Sequence, residues 1–123
     1  MTLYLHIGTE KTGSSYLQSL AAQNRKQLAE AGIHFPSAGK RDQQMLKGEI
    51  TAGNAQPLTN ALEEANWSVV EQLLNAWMQE TRAGNCRGLV LSNELLVLAL
   101  APSGRLERFD RLVAAAGFQK MEI

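Results

Sequence analysis

The sequence has a single cysteine, Cys86, which has no second cysteine in the chain with which to form a disulfide. A reducing compartment suits such a chain, so we expect a cytoplasmic protein. No run approaches the ~20 apolar residues that cross a bilayer, and the N-terminus lacks the charged and apolar regions of a secretory signal. The sequence therefore predicts no membrane-spanning segment.

An excess of charge of either sign is also missing, because 12 basic residues balance 12 acidic ones. No cluster of basic residues indicates a nucleic-acid surface, so we expect no nucleic-acid partner. No group of residues has the spacing of zinc ligands, and no Ser-His-Asp arrangement can be recognised. We expect one globular domain over residues 1–123, long enough to bury a core, whose oligomeric state the sequence does not reveal.

Short apolar runs alternate with amphipathic stretches along the chain. The runs "LYLHIG", "LVL" and "KMEI" are predicted strands at residues 3–8, 89–91 and 120–123. Amphipathic patterns predict helices within residues 14–31, 65–84 and 102–117, and a short extended piece follows Gly32. This alternation predicts an α/β fold, a P-loop-like three-layer fold with a parallel sheet.

Helical spacing also predicts which side chains of the first helix are buried. Tyr16, Leu17 and Leu20 belong to its predicted apolar face, whereas Gln18 is predicted on the surface. Serines predict the starts of later helices, and the capping-box spacing of Ser68 is the clearest example. Ser103 is a candidate cap as well, and Ser92 either caps the following helix, which we favour, or contacts the substrate.

The last four residues, "KMEI", read as the first residues of a third strand. A central strand left half-made would leave its backbone groups unpaired. We therefore expect the fold to be truncated there, and the chain to be the N-terminal part of a longer protein. An intact-mass measurement of the native protein tests this expectation.

The segment "HIGTEKTGSSYLQ" places glycines and hydroxyl side chains between the first predicted strand and the first predicted helix. The free N–H groups and the dipole at the start of a helix favour an anion, and glycines allow the backbone to approach it closely. Gly8, Gly13, Ser14 and Ser15 supply this arrangement, and Lys11 adds a full positive charge. The segment therefore predicts an anion-binding loop.

The position of the lysine argues against a nucleoside triphosphate site. A Walker A loop carries lysine directly after its second glycine, where this chain has Ser14. Magnesium ligands would also be needed, and the strand "GLVL" is followed by "SNE" rather than by aspartate. A kinase or NTPase with magnesium-dependent ATP or GTP binding remains one alternative. A non-catalytic α/β domain that binds neither nucleotide remains another.

The loop resembles the 5′-phosphosulfate loop of sulfotransferases that use 3′-phosphoadenosine 5′-phosphosulfate (PAPS). The matching residues are Lys11, Thr12, Gly13, Ser14 and Ser15. The flanking "LHIGT" and "YLQ" look like bacterial members of the family, and "VLSNELL" is similar to their second strand and its acidic turn. The resemblance covers most of the chain loosely, and its specific part is residues 3–18.

Two departures from the family pattern concern the donor site. Many members have proline before the lysine, where this chain has Glu10, a carboxylate that should repel an anionic donor unless it points outward. The arginine and serine that hold the 3′-phosphate in the family would lie beyond Ile123. The resemblance therefore implies a donor site that is incomplete in this chain.

The resemblance implies transfer of a sulfuryl group from PAPS, without a metal, to a hydroxyl or amine of a small-molecule or glycan acceptor. Lys11 would be catalytic and would bind the donor together with Thr12, Gly13, Ser14 and Ser15. Transfer consists largely of placing charge against the donor and its leaving group.

The acceptor would also need a base, and the family uses histidine or glutamate. We expect Glu94, at the carboxyl end of a strand, to be that base; compensation of a helix dipole is the alternative. His6 is predicted to be a satisfied sheet residue, and His34 either lines an acceptor cleft or is solvated.

Overall fold

Four parallel strands form the centre of this computed structural model, which describes residues 1–7, 14–39, 42–48 and 53–123. The described strands are β1 (Thr2–His6), β2 (Ile33–His34), β3 (Gly88–Ser92) and β4 (Lys120–Glu122). Their order across the sheet is β2-β3-β1-β4, so β1 lies between β3 and β4. The predicted α/β fold with a parallel sheet is confirmed. The predicted extended piece is β2, which makes "KMEI" the fourth strand in chain order.

Helices cover both faces of the sheet. The described ones are α1 (Ser14–Gln23), α2 (Arg25–Glu30), α3 (Asp42–Leu46), α4 (Gln56–Glu63), α5 (Trp67–Ala83), α6 (Leu96–Leu100) and α7 (Arg105–Ala115). The first three contribute to a small apolar cluster on one face, and the last four to a larger cluster on the other. The fold therefore has three layers. None of the helices in the described ranges is long and apolar enough to cross a membrane.

The apolar sequences of the strands are explained by the helices that cover both faces of the sheet. In β3, Leu89 and Leu91 are completely buried in the larger cluster, while the intervening Val90 faces the smaller one. In β1, Leu3 and Leu5 likewise enter the larger cluster. Alternate strand residues point to opposite faces, so a sheet covered on both sides needs apolar residues at consecutive positions.

The predicted buried face of the first helix is wrong. Tyr16 and Leu17 are 68% and 52% exposed, whereas Gln18 is only 2% exposed. The Gln18 amide faces the sheet and donates a hydrogen bond to the buried Ser92 hydroxyl. This polar contact, rather than the predicted apolar face, sets the orientation of the helix. The predicted single helix is also interrupted at Asn24, whose side chain donates to the Leu20 carbonyl.

Two predicted serine caps are also wrong. Helix α5 is capped by Asn66, whose side-chain oxygen accepts a hydrogen bond from the Val69 N–H, and Ser68 lies inside the helix. Asparagine caps helices as well as serine does, so either residue satisfied the pattern. Helix α7 begins after Gly104 without a side-chain cap, and Ser103 precedes it.

An ion pair between Arg25 and Asp42 joins α2 to α3 on the side of the sheet that has the smaller apolar cluster. The Arg25 guanidinium donates to both carboxylate oxygens of Asp42, at 3.0 and 2.6 Å, and to the Phe35 carbonyl at 2.8 Å. Asp42 also accepts a hydrogen bond from the Ala38 N–H at 3.2 Å. The hydrogen bond from Arg25, assisted by that of Ala38, holds the pKa of the Asp42 carboxyl below its ordinary value despite partial burial.

We expect Asp42→Asn to lower the free energy of unfolding by about 1–2 kcal/mol near neutral pH, because charge-assisted hydrogen bonds from Arg25 are lost. Since the folded pKa lies below the unfolded value of about 3.9, the stabilisation is present above that pH and disappears as pH falls through the folded pKa. Urea unfolding of both proteins between about pH 6 and about pH 2 measures the difference.

Asp110, exposed on α7, supplies the control. Asp110→Asn should change stability little at any pH in that range. A wild-type advantage over Asp42→Asn that stayed constant down to the lowest pH would contradict the role given to the carboxylate.

Candidate functional site

The chain leaves β1 and β3 toward opposite faces of the sheet. After β1 it enters α1, whose Ala22 belongs to the small cluster, and after β3 it enters α6 and α7, whose Leu96 and Phe109 belong to the large one. In parallel α/β folds, a crevice forms at the carboxyl ends of neighbouring strands whose connections separate in this way. Here that point is marked by His6 and Ser92, which are partners in register.

Ser92 holds this edge together. Its hydroxyl oxygen lies 2.9 Å from His6 Nδ1 and accepts a hydrogen bond from Gln18 Nε2, also at 2.9 Å. Its backbone N–H donates to Asn54 Oδ1 at 2.8 Å, and its carbonyl accepts from the Ala55 N–H at 3.1 Å. One buried serine therefore joins β1, α1 and the segment before α4. His6 is a hydrogen-bonded sheet residue, as the sequence predicts.

The prediction that Ser92 caps the next helix is wrong, because its hydroxyl is already bound to β1 and α1. Asn93 takes the local role instead, since its Oδ1 accepts from the Leu95 N–H at 2.8 Å. The Asn93 backbone N–H donates to the His6 carbonyl, and its Nδ2 donates to Gln56 Oε1. Asn93 is completely buried, and these three hydrogen bonds hold the turn that follows β3 in place.

Glu94 lies in that turn, two residues beyond the end of β3 and half-buried. Its carboxylate makes no hydrogen bond or ion pair with any of the described residues. The structure thus brings Glu94 to the same sheet edge as His6. Its role as a base stays a prediction.

Several sequence-predicted site residues cannot be located in the same way. Lys11, Thr12 and Gly13 lie outside the described residues, and so do the hydroxyl groups of Ser14 and Ser15. The backbone of the two serines forms the first turn of α1, which begins eight positions after the end of β1. The predicted loop therefore connects the carboxyl end of a central strand to the start of a helix.

His34, the other predicted histidine, lies away from the β1–β3 edge. It is part of β2, and its Nε2 lies 3.1 Å from Glu80 Oε2 on α5. Within the ranges that the structure covers, no group of three or more His, Cys, Asp or Glu side chains is placed to hold a metal ion.

Comparison with family models, with curated proteins and with solved structures finds no match for this chain. The functional argument therefore depends on the residues at the β1–β3 edge. Sequence reasoning missed three of them, Gln18, Asn54 and Asn93. The polar "SN" that ends an apolar strand was a signal for Asn93, and we find no comparable signal for Gln18 or Asn54.

Gly53 allows the segment before α4 to approach this edge. Its φ is +99°, and an added Cβ would overlap the Ser92 carbonyl oxygen and lie 2.7 Å from Gln18 Nε2. Both obstacles belong to the buried network, so neither can move without breaking hydrogen bonds. A residue with a side chain does not fit there.

Gly53→Ala should lower the free energy of unfolding by about 3 kcal/mol or more, because left-handed strain is added to a backbone overlap. Gly104→Ala is the matched control, with φ +81° and nothing within 4 Å of its added Cβ. That change should cost only about 1 kcal/mol. Urea unfolding measures both, and equal losses in the two variants would show that the Ser92 carbonyl is not a rigid obstacle.

Proposed function

We propose that the chain is the donor-binding part of a PAPS-dependent sulfotransferase, which moves a sulfuryl group from PAPS to an acceptor hydroxyl or amine. One observation carries the proposal: central strand β1 ends at the β1–β3 edge and α1 begins at Ser14, so the part of the sequence that joins them is the one that contains Lys-Thr-Gly-Ser-Ser. Anionic nucleotides favour such a place because helix N–H groups and strand ends converge there. The lone Cys86, buried at 7% exposure, supports a cytoplasmic setting.

The first turn of α1 suits a phosphate group. It contains Ser14, Ser15, Tyr16 and Leu17 and has no acidic residue that would repel an anion. The backbone N–H groups of that turn, the serine hydroxyls and the Thr12 and Gly13 backbone would hold the 5′-phosphate. These groups also explain why a net charge of zero is compatible with binding an anion.

The proposed reaction needs charge placement and one proton acceptor. The sulfur–oxygen bond to the 5′-phosphate breaks with its electron pair left on the phosphate oxygen. Lys11 stabilises that growing charge. A new bond forms between sulfur and the acceptor oxygen or nitrogen, whose proton passes to the Glu94 carboxylate. The sulfuryl group carries less charge than a γ-phosphoryl group, which supports transfer without a metal.

Binding of adenosine 3′,5′-bisphosphate, the product left by PAPS, tests the donor site by calorimetry on the full-length protein. We expect binding without added magnesium, weakened at least about tenfold by Lys11→Ala because a charged hydrogen-bond donor is removed. Gly13→Asp should abolish it, since a carboxylate would stand in the loop. Lys26→Ala, which removes an exposed charge on α2, should leave it unchanged.

Two results of that experiment would overturn the proposal. One is the absence of bisphosphate binding in the wild-type protein, and the other is unchanged binding in both loop variants. Magnesium-dependent binding of ATP would favour the kinase or NTPase alternative. Failure to bind either nucleotide would favour a non-catalytic domain.

Glu94→Gln tests the proposed base separately. Transfer of radioactive sulfate from PAPS to a mixture of sugars and simple alcohols should fall by about 100-fold or more, since proton removal is lost. Bisphosphate affinity should stay within about twofold, because the carboxylate is assigned to the acceptor. Unchanged transfer would remove Glu94 from the mechanism without touching the donor site. Glu107→Gln, exposed on α7, is the control.

A further inference from the structure

An open cleft lies at the carboxyl edge of the sheet, between the segment that follows β2 and the helices α4 and α5. Residues after β2, residues at the start of α4 and two side chains of α5 line it. Its volume is about 540 Å³. Small-molecule sites usually measure about 300–1,000 Å³, and in parallel sheets they lie at this edge. The cleft therefore has the size and the position of a ligand site.

Two hydrogen bonds connect this cleft to the β1–β3 edge. Asn54, which lines the cleft, accepts from the Ser92 N–H at 2.8 Å. Gln56, which also lines it, accepts from Asn93 Nδ2 at 3.0 Å. Asn93 directly precedes Glu94 in the chain. The cleft is thus one hydrogen bond and one residue away from the carboxylate of the proposed base.

The lining of the cleft is uncharged. None of the described residues that form it is an aspartate, glutamate, lysine, arginine or histidine. A charged ligand would lose part of its hydration there without meeting an opposite charge, which is unfavourable. The cleft therefore favours a neutral molecule.

Two exposed side chains of the lining, Ser37 and Asn60, have donors that no described residue accepts. Ser37 Oγ accepts from the Gly39 N–H at 3.1 Å, and Asn60 Oδ1 accepts from Gln56 Nε2 at 2.7 Å. These two bonds orient the side chains, while the Ser37 hydroxyl hydrogen and Asn60 Nδ2 stay available. Both are neutral donors suited to an oxygen atom of a ligand.

Trp77 adds a third neutral donor. Its side chain belongs to the large apolar cluster and is only 8% exposed, and its indole N–H has no partner within the described ranges. No buried side-chain nitrogen or oxygen in those ranges is unpaired, so this N–H reaches the surface. The cleft is a surface that Trp77 lines, together with the apolar Leu73 and Pro57. The lining thus combines neutral donors with apolar contacts.

We propose that this cleft binds a neutral sugar. The oxygen atoms of a sugar accept hydrogen bonds, and its C–H groups can pack against Leu73 and Pro57. A hydrocarbon of the same size would cover the donors without pairing them, and a sugar with a carboxylate would find no cation. The cleft therefore selects an uncharged ring with several hydroxyl groups.

Calling this sugar the acceptor of sulfuryl transfer rests on the proposed function, whereas its binding does not. The connection is the bond between Gln56 in the cleft and Asn93 beside Glu94. With that connection, the inference narrows the acceptor from any hydroxyl or amine compound to a hydroxyl group of a neutral sugar.

Nitrogen-15 NMR of the wild-type protein measures the binding, with glucose, galactose, mannose and N-acetylglucosamine as probes. We expect at least one sugar to shift the side-chain amide signal of Asn60 and the indole signal of Trp77. The expected dissociation constant is on the order of 1 mM, as suits a small neutral ligand. The indole signal of Trp67, which lies against Arg108 and outside the cleft, should not move.

Glucuronate and cyclohexanol are the comparison ligands. Each should bind at least about tenfold more weakly than the best sugar, because one brings an unpaired charge and the other leaves donors unpaired. Absence of shifts at Asn60 and Trp77 with all four sugars would overturn the inference. Equal affinity for cyclohexanol would overturn it as well.

Asn60→Leu keeps the approximate size of the side chain and removes its donor. Sugar affinity should fall about fivefold or more, while cyclohexanol affinity should not fall. Asn75→Leu, at an exposed position of α5 that does not line the cleft, is the matched control and should leave both affinities unchanged. Equal sugar affinity in the wild type and Asn60→Leu would contradict the role given to the amide.

Bisphosphate calorimetry separates this inference from the proposed function. Sugar binding without bisphosphate binding would support the sugar cleft and reject the sulfotransferase. Bisphosphate binding without sugar binding would do the reverse, leaving the donor site and overturning the assignment of the cleft.

Discussion

The in-register pairing of β1 with β3 puts His6 next to Ser92, and the hydroxyl of Ser92 then joins three separate parts of the chain. Because the serine is 2% exposed, each of its polar groups needs a protein partner. His6, Gln18, Asn54 and the Ala55 N–H provide them. Replacing Asn54 with an apolar residue would leave the buried Ser92 N–H without its partner, which costs about 1–3 kcal/mol.

The orientation of α1 follows from that network. Burying the Gln18 amide is favourable only with a hydrogen bond, and the bond to Ser92 supplies it. With Gln18 turned toward the sheet, Tyr16 and Leu17 must point toward solvent. A helix that buries an amide while two of its large apolar side chains stay exposed has an orientation set by the sheet edge. The start of the same helix is the place where the proposed phosphate site lies.

Patterns within a few residues were enough to predict the parallel α/β fold. Consecutive apolar positions marked the strands, and Gly32 and Gly117, with φ +86° and +105°, directly follow the C-caps of α2 and α7. The role of Ser92 could not be predicted, since its partners are 86 and 74 positions away in the chain. Strand β2 has only two residues, too few for any periodicity. The anion loop was predicted from sequence, and it stays a prediction because residues 8–13 lie outside the described ranges.

Three polar residues follow the apolar part of β3, namely Ser92, Asn93 and Glu94. They differ in whether their side chains have hydrogen-bond partners among the described residues. Ser92 is used to join β1 and α1, and Asn93 to close the turn onto Gln56 and the Leu95 N–H. Glu94 is the first whose side chain has no partner among the described residues. Ser92 and Asn93 are buried and hydrogen-bonded, so they fix the backbone just before Glu94. The Glu94 carboxylate itself has no partner among the described residues and can change its rotamer. A reacting group is most effective when its support is rigid in this way. The burial of Ser92 and Asn93 thus supports Glu94, rather than its two neighbours, as the residue for the proposed base.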